Sequence, residues 1–285
     1  MAEWTQASAN RSFGGTQFIF KFKSSELKCT TSLGVYLPDT KKDEKLPLLL
    51  YLSGLTCTEK NFIEKAGAQR LASKFRVIVV NPDTSPRDVN IPGDKESSDI
   101  GEGAGFYLDA TEEKWAAHYR MYTYIVKELV PLVQQKFPVN PQRQSIFGHS
   151  MGGMGALTIG LRNPEMFRSI SSFAAICNPI ESSWGKKAFG AYLGAGQEAW
   201  KQYDATELAR GYSGPKRQVL VDQGLADEFY VKGELKPESF VAAKNENLVV
   251  DFRKREKFDH SYFYIATFLE EHFNFHTNVW SEKSD

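Results

Sequence analysis

Residues 146–155 read IFGHSMGGMG, and the fold turns on whether Ser150 in that stretch is a nucleophile or only part of a turn. Gly148-His149-Ser150-Met151-Gly152 matches the pattern G-x-S-x-G, and it lies between an apolar strand-like run, "SIF", and a helix-forming one, "MGALTIGLR". Small residues on both sides let the chain turn sharply enough to hold a serine hydroxyl exposed at the C-terminal edge of a sheet, above the N-terminus of the next helix. Gly152, Gly153 and Gly155 then permit close packing. The alternative is a glycine-rich turn whose serine caps the helix. The strand, turn and helix context favours the nucleophile.

Working outward, "LPLLLYL", "FRVIVV", "RQSIFG", "SISSFAAI" and "RQVLVD" are short runs apolar on both parities, as strands buried on both faces must be. Helical spacing separates most of them, at 61–74, at 121–137 in spite of Pro131, after Ser150 as far as Arg162-Asn163-Pro164, and in "SYFYIATFLEEHFNF". Alternating strands and helices imply parallel βαβ units, with right-handed crossovers that cover both faces of an open sheet. Before them, Phe18, Phe20 and Phe22 alternate, and Cys29, Thr31, Leu33, Val35 and Leu37 share a parity, which predicts an antiparallel start. The expected class is therefore α/β in three layers. Two irregular segments, 81–110 and 178–212, are much longer than the usual connection of about 4–6 residues and are candidate pocket walls.

Of the 285 residues 41% are hydrophobic, and no repeat or linker divides them, so a single domain over 1–285 is expected. Lys plus Arg equals Asp plus Glu at 35 each, which offers no long-range attraction to nucleic acid or an anionic membrane surface. No stretch approaches the ~18 apolar residues that span a bilayer, and "MAEWTQASANRSFGG" lacks the pattern of an export signal. Three scattered cysteines, Cys29, Cys57 and Cys177, suit neither a disulfide framework nor a metal site. A cytoplasmic protein without metal is the expectation. A dinucleotide site at Gly101-x-Gly103-x-Gly105 is excluded because those glycines follow a loop rather than a strand.

A serine hydroxyl needs a histidine base and an acid to orient it, in the order Ser, Asp/Glu, His. Only His260, His272 and His276 follow Ser150. The last two stand one turn apart within the final helix, where packing histidines are common, and His260 opens that helix. The strand "RQVLVD" leads into Asp222, Asp227 and Glu228; Asp227 has room to reach sideways to His260 and is preferred, with Asp222 left open. The oxyanion needs two donors, the N–H of Met151 after the nucleophile and that of Leu55 after "LLLYLSG". Cys57, two residues further on, should line or back the site.

With these residues in hand, the sequence resembles the S-formylglutathione hydrolase (esterase D) family of α/β-hydrolases over nearly its whole length. The likeness rests on Leu52-Ser53-Gly54-Leu55-Thr56-Cys57-Thr58, Asp83-Thr84-Ser85-Pro86-Arg87, Gly103-Ala104-Gly105-Phe106-Tyr107, Phe147-Gly148-His149-Ser150-Met151-Gly152-Gly153, Trp184-Gly185-Lys186-Lys187-Ala188-Phe189 and Asp222-Gln223-Gly224. Ser182-Ser183 departs from the family's usual Cys-Pro, and Met154 stands where several members carry histidine. The resemblance implies an α/β-hydrolase fold with a mostly parallel sheet, the triad Ser150, Asp227 and His260, no cofactor, a homodimer, and hydrolysis of a glutathione thioester to glutathione and formate. Arg87, Lys186 or Lys187 would suit the carboxylates of glutathione, and Trp184 its backbone. The rival readings are a broad small-acyl carboxylesterase with the same triad and, further off, a non-catalytic binding protein of this fold.

Overall fold

The computed structural model describes residues 3–281, and within them the strands form one nine-stranded sheet. Leu46–Leu52 (β4), Ile78–Pro82 (β5), Val139–His149 (β6), Ile170–Phe173 (β7), Arg217–Gly224 (β8) and Leu248–Arg255 (β9) run parallel. Trp4–Arg11 (β1), Gly15–Lys23 (β2) and Thr30–Pro38 (β3) form an antiparallel flank, and β3 joins β5 antiparallel. The order is β1-β2-β3-β5-β4-β6-β7-β8-β9. This is the mostly parallel α/β architecture that the apolar runs imply; all of Leu48 to Leu52 and Val77 to Val80 are buried.

The two faces can be read from β7, where successive side chains point oppositely. Ile170 faces the helix Met151–Arg162, so closely that a Cβ on Gly160 would lie 2.5 Å from the Ile170 side chain. Ser169 and Ser171 face the other way, toward His272 and His276 of the C-terminal helix Tyr262–Ser281. Helices thus cover both sides of the sheet. From β4 the chain passes to β5 on one side and then to β6 on the other. Such a reversal opens a crevice at the carboxyl ends of the strands, the usual place for a site in an open α/β sheet.

Three elements differ from expectation. β1 is polar on both parities, and it is held as an edge strand by backbone pairing to β2 and by Trp4 stacked on Phe22, ring centroids 5.0 Å apart. The helix expected at 61–74 is two helices, Glu59–Lys65 and Ala68–Phe75, because Gly67 adopts φ 68° between them. Between 121 and 137 the chain is π-helical over Tyr124–Leu129 and α-helical from Val130 to Lys136. Pro131 lies in the first turn of that second segment, where its missing N–H costs least.

Candidate active site

β6 ends at His149, and Ser150 takes φ 58° and ψ −122°, a left-handed conformation that costs a non-glycine residue about 1–3 kcal/mol. The surroundings enforce it. Ser150 N–H donates to the Phe173 carbonyl at 2.9 Å, and its own carbonyl accepts from Met154 N–H at 3.0 Å. A Cβ on Gly148 would fall 2.2 Å from the Gly152 carbonyl oxygen, and one on Gly152 would fall 2.0 Å from that of Leu52. The small residues flanking the serine are therefore steric requirements of the turn. The Ser150 side chain does not cap the following helix, and among the described residues its hydroxyl has no hydrogen-bond partner. That removes the helix-cap reading of the motif.

The turn after β4 lies against this elbow: a Cβ on Gly54 would meet Ser150 Cβ at 3.1 Å. The long loop that follows β5 holds the turn from behind. Tyr107 Oη donates to the Ser53 carbonyl at 2.8 Å, Thr84 Oγ1 to the Cys57 carbonyl at 2.6 Å, and Thr56 N–H donates to the Gly103 carbonyl at 2.9 Å. Fixing these groups leaves the Leu55 N–H, like the Met151 N–H, without an acceptor among the described residues. Two such amides beside one serine can receive a negatively charged oxygen.

Asp227 and His260, the acid and base expected from sequence, lie in contact. His260 Nδ1 lies 2.5 Å from Asp227 Oδ2. Asp227 is buried and stands at the N-cap of a short helix, Glu228–Val231, accepting from Phe229 N–H at 2.8 Å and Tyr230 N–H at 3.3 Å. Gln223 Nε2 adds a contact to Asp227 Oδ2 at 3.3 Å. These donors hold the carboxylate toward the ring. Asp222 is committed elsewhere: Arg255 pairs with it at 2.7 Å and Tyr264 Oη donates to it at 2.6 Å, beneath the sheet edge.

Ser150 and His260 open into one cavity of about 410 Å³, with Leu55, Cys57, Trp184 and Tyr262 in its walls. The volume suits a small ligand. Burial pushes the Cys57 thiol up, against the opposing influence of the Tyr262 hydroxyl. Trp184 is set by the helix Ser183–Leu193, which Ser182 caps by accepting from Gly185 N–H at 3.0 Å; that gives the Ser182-Ser183 departure a local role. Trp184 N–H is held by Glu234 at 3.0 Å, and its ring packs on Phe229 at 4.6 Å.

The three cations picked from sequence are not among the residues lining this cavity. Arg87 is bound to Asp83, four residues earlier, at 2.7 and 2.9 Å, and donates to the Cys57 carbonyl at 3.1 Å, so it buttresses the turn from outside. Lys186 is exposed, with Nζ 4.0 Å from Glu181. Lys187 reaches the cavity only through Asp99, 2.6 Å away. Sequence reasoning passed over Asn61, Lys65 and Asp99, all of which line the cavity. Asn61 and Lys65 are one helical turn apart directly after the Leu55 turn, a signal that was available. It also passed over His149, whose ring lies 4.4 Å from that of His260 and whose burial pushes its pKa well down. Among the described residues no group of three His, Cys, Asp or Glu side chains is arranged to hold a metal ion, and no helix is long and apolar enough to cross a membrane.

A strained serine after a central parallel strand, a His–Asp pair on the following loops and two free amides beside the serine are features of the α/β-hydrolases. The model of the family described as "Putative esterase" matches residues 24–275. The chain is 54% identical over 272 residues to the S-formylglutathione hydrolase of Mus musculus, covering 95% of this chain and 96% of that one. It is 47% identical to that of Paracoccus denitrificans over 94% of this chain and 95% of the relative. A solved S-formylglutathione hydrolase from Agrobacterium tumefaciens superposes with a TM-score of 0.93 at 44% identity, covering 97% of this chain and 99% of that one. The fluorophosphonate-binding serine hydrolase F of Staphylococcus aureus, 19% identical with a TM-score of 0.71, shares the fold alone. The chain belongs to the S-formylglutathione hydrolase family of esterases.

Proposed function

We propose that this protein hydrolyses S-formylglutathione to glutathione and formate, the thioester step of formaldehyde detoxification, with Ser150 as nucleophile, His260 as base and Asp227 as the acid that orients it. The observation that carries the assignment of roles is the 2.5 Å Asp227–His260 contact opening, with Ser150, into a single cavity. Ser150 Oγ attacks the formyl carbon while His260 Nε2 takes its proton. The Leu55 and Met151 N–H groups receive the oxyanion. Collapse expels the thiolate, His260 returns the proton to sulfur, and a formyl ester remains on Ser150. His260 then activates water, which attacks the ester and releases formate. Asp227 holds the ring tautomer throughout, since its carboxylate faces Nδ1.

Small esters should react by the same steps and give a carboxylesterase side activity. We further infer one domain over 1–285, a reading supported by the single sheet, and a cytoplasmic location, supported by the free cysteines, with a homodimer inferred from the family resemblance alone. Steady-state rates on S-formylglutathione and p-nitrophenyl acetate test the function. A kcat/KM at least about a hundredfold higher on the thioester is expected; equal values would favour the broad carboxylesterase.

A further inference from the structure

We propose that Lys65, with Asn61 beside it, binds the glycyl carboxylate of the substrate, and that the Asp99–Lys187 pair binds the zwitterionic γ-glutamyl end. The inference rests on the reading of the substrate as a glutathione thioester and adds how that tripeptide is recognised. Apart from histidines, Lys65 and Asp99 are the only charged side chains among the described residues lining the cavity. They come from different walls. Lys65 ends the helix Glu59–Lys65 that follows the Leu55 turn, and Asp99 belongs to the long loop after β5.

Lys65 is exposed, with Nζ 5.8 Å from the centre of the Tyr262 ring, and no carboxylate lies within ion-pair distance of it among the described residues. It is a cation with an open partner position beside the nucleophile. Asn61 precedes it by one turn on the same face. Asn61 Oδ1 is occupied as the acceptor of Thr58 N–H at 2.9 Å, which fixes the amide and leaves its two Nδ2 hydrogens to donate. A carboxylate with no charge of its own to neutralise it fits this wall.

Asp99 differs. Its side chain is 18% exposed and already pairs with Lys187 Nζ at 2.6 Å. A negative and a positive group held side by side match an α-amino acid end in head-to-tail fashion, with the ammonium on Asp99 in the cavity wall and the carboxylate extending outward to the exposed Lys187 beside it. Glutathione has one end of each kind, a lone carboxylate on glycine and an amino-carboxylate on the γ-glutamyl residue, with the acylated sulfur between them. The opposite orientation would put the γ-glutamyl ammonium on the wall that holds Lys65 and take it away from Asp99, the only acidic side chain among the described residues lining the cavity, so the placement of that carboxylate sets the direction of binding.

The test uses the full chain, three formyl thioesters and one neutral ester. The thioesters are those of glutathione, of its glycinamide, and of N-acetylcysteinylglycine, which lacks the γ-glutamyl residue. The readout is each thioester's kcat/KM divided by that for p-nitrophenyl acetate, because misfolding would lower both alike. Lys65→Met should lower the ratio for S-formylglutathione by about five- to twentyfold, mainly through KM, and Lys65→Arg should restore most of it. Lys65→Met should also become indifferent to amidation of the glycyl carboxylate, which penalises the wild type. Asp99→Asn should show the converse, a lowered ratio and indifference to removal of the γ-glutamyl residue. A variant that keeps the wild-type ratio, or that still discriminates against the substrate altered at its own end, overturns the assignment. A wild type that shows no preference for S-formylglutathione over the neutral ester overturns the parent reading and this one with it.

Discussion

Two histidine–aspartate pairs stand at the same end of β8, and only one faces a cavity. In the first, Asp227 holds His260 at 2.5 Å, and the ring, 17% exposed, looks into the space shared with Ser150. In the second, Asp222 and His272 are both fully buried, 3.9 Å apart, beyond hydrogen-bond reach. Arg255 and Tyr264 occupy the Asp222 oxygens. His272 Nδ1 contacts Ser171 Oγ at 2.8 Å, and its ring stacks on Phe173 with centroids 3.6 Å apart. Burial pushes His272 down, so the ring stays neutral there. An acid near an imidazole is thus not enough for chemistry. The imidazole must also have a nitrogen open to a reactant, and only His260 has one. The second pair belongs to a buried network in which His276 bridges Ser169 and Ser171, and it serves the packing of the C-terminal helix on the sheet.

The comparison can be broken at either pair. The largest effect should come from the serine common to the first: Ser150→Ala should fold normally and lose roughly 10⁵- to 10⁶-fold in kcat on S-formylglutathione. Retention of even a tenth of the rate would remove the nucleophile. Next, Asp227→Asn should cost about 10⁴-fold in kcat by favouring the wrong tautomer of His260. Asp222→Asn should cost far less in rate but about 1.5–3 kcal/mol in stability, measured by urea denaturation, because it removes the buried carboxylate that accepts from Arg255 and Tyr264 and leaves Arg255 paired with Glu271 alone. If the two variants exchange these phenotypes, the assignment of the acid is wrong.

The second pair also predicts a pH signature. Burial pushes the Asp222 carboxyl up, but the nearby His272 ring and the hydrogen bonds from Arg255 and Tyr264 outweigh it and leave the group below its ordinary value of 3.8. A depressed folded pKa means that Asp222 contributes stability above about pH 4, and that the contribution is lost as pH falls through the folded value. The stability gap between wild type and Asp222→Asn should therefore narrow on acidification below pH 4. A gap that widens would contradict the ionised pair.

The smallest effect concerns Cys57. N-ethylmaleimide should inactivate the wild type by filling the cavity wall, S-hexylglutathione should slow this, and Cys57→Ser should stay active and resist the reagent. Because the thiol is pushed up by burial, inactivation should quicken as pH rises from 7 to 9. Equal sensitivity of Cys57→Ser would place the reactive thiol at Cys29 or Cys177.

What could be read beforehand follows the same division between local and assembled features. β4 to β8 were legible because doubly buried strands are apolar on both parities, and Ser150 because its turn needs glycines that sterics dictate. Asp227 and His260 were legible because they fall a few residues beyond strand ends that the apolar runs mark. β1 was not, since an edge strand stabilised by backbone pairing and one tryptophan carries no alternation. The cavity wall was not legible either: Asp99 reaches it from a loop whose path no periodicity describes. Arg87 misled because a free cation and one already paired look alike in composition, although Asp83 four residues earlier was visible.

The most direct measurement is covalent labelling with a fluorophosphonate, followed by peptide mapping and by assay on S-formylglutathione. One label per chain is expected, on Ser150, acquired more slowly in the presence of S-formylglutathione and matched by proportional loss of hydrolysis. A label on another residue, or an enzyme fully labelled at Ser150 that still hydrolyses the thioester, would contradict it.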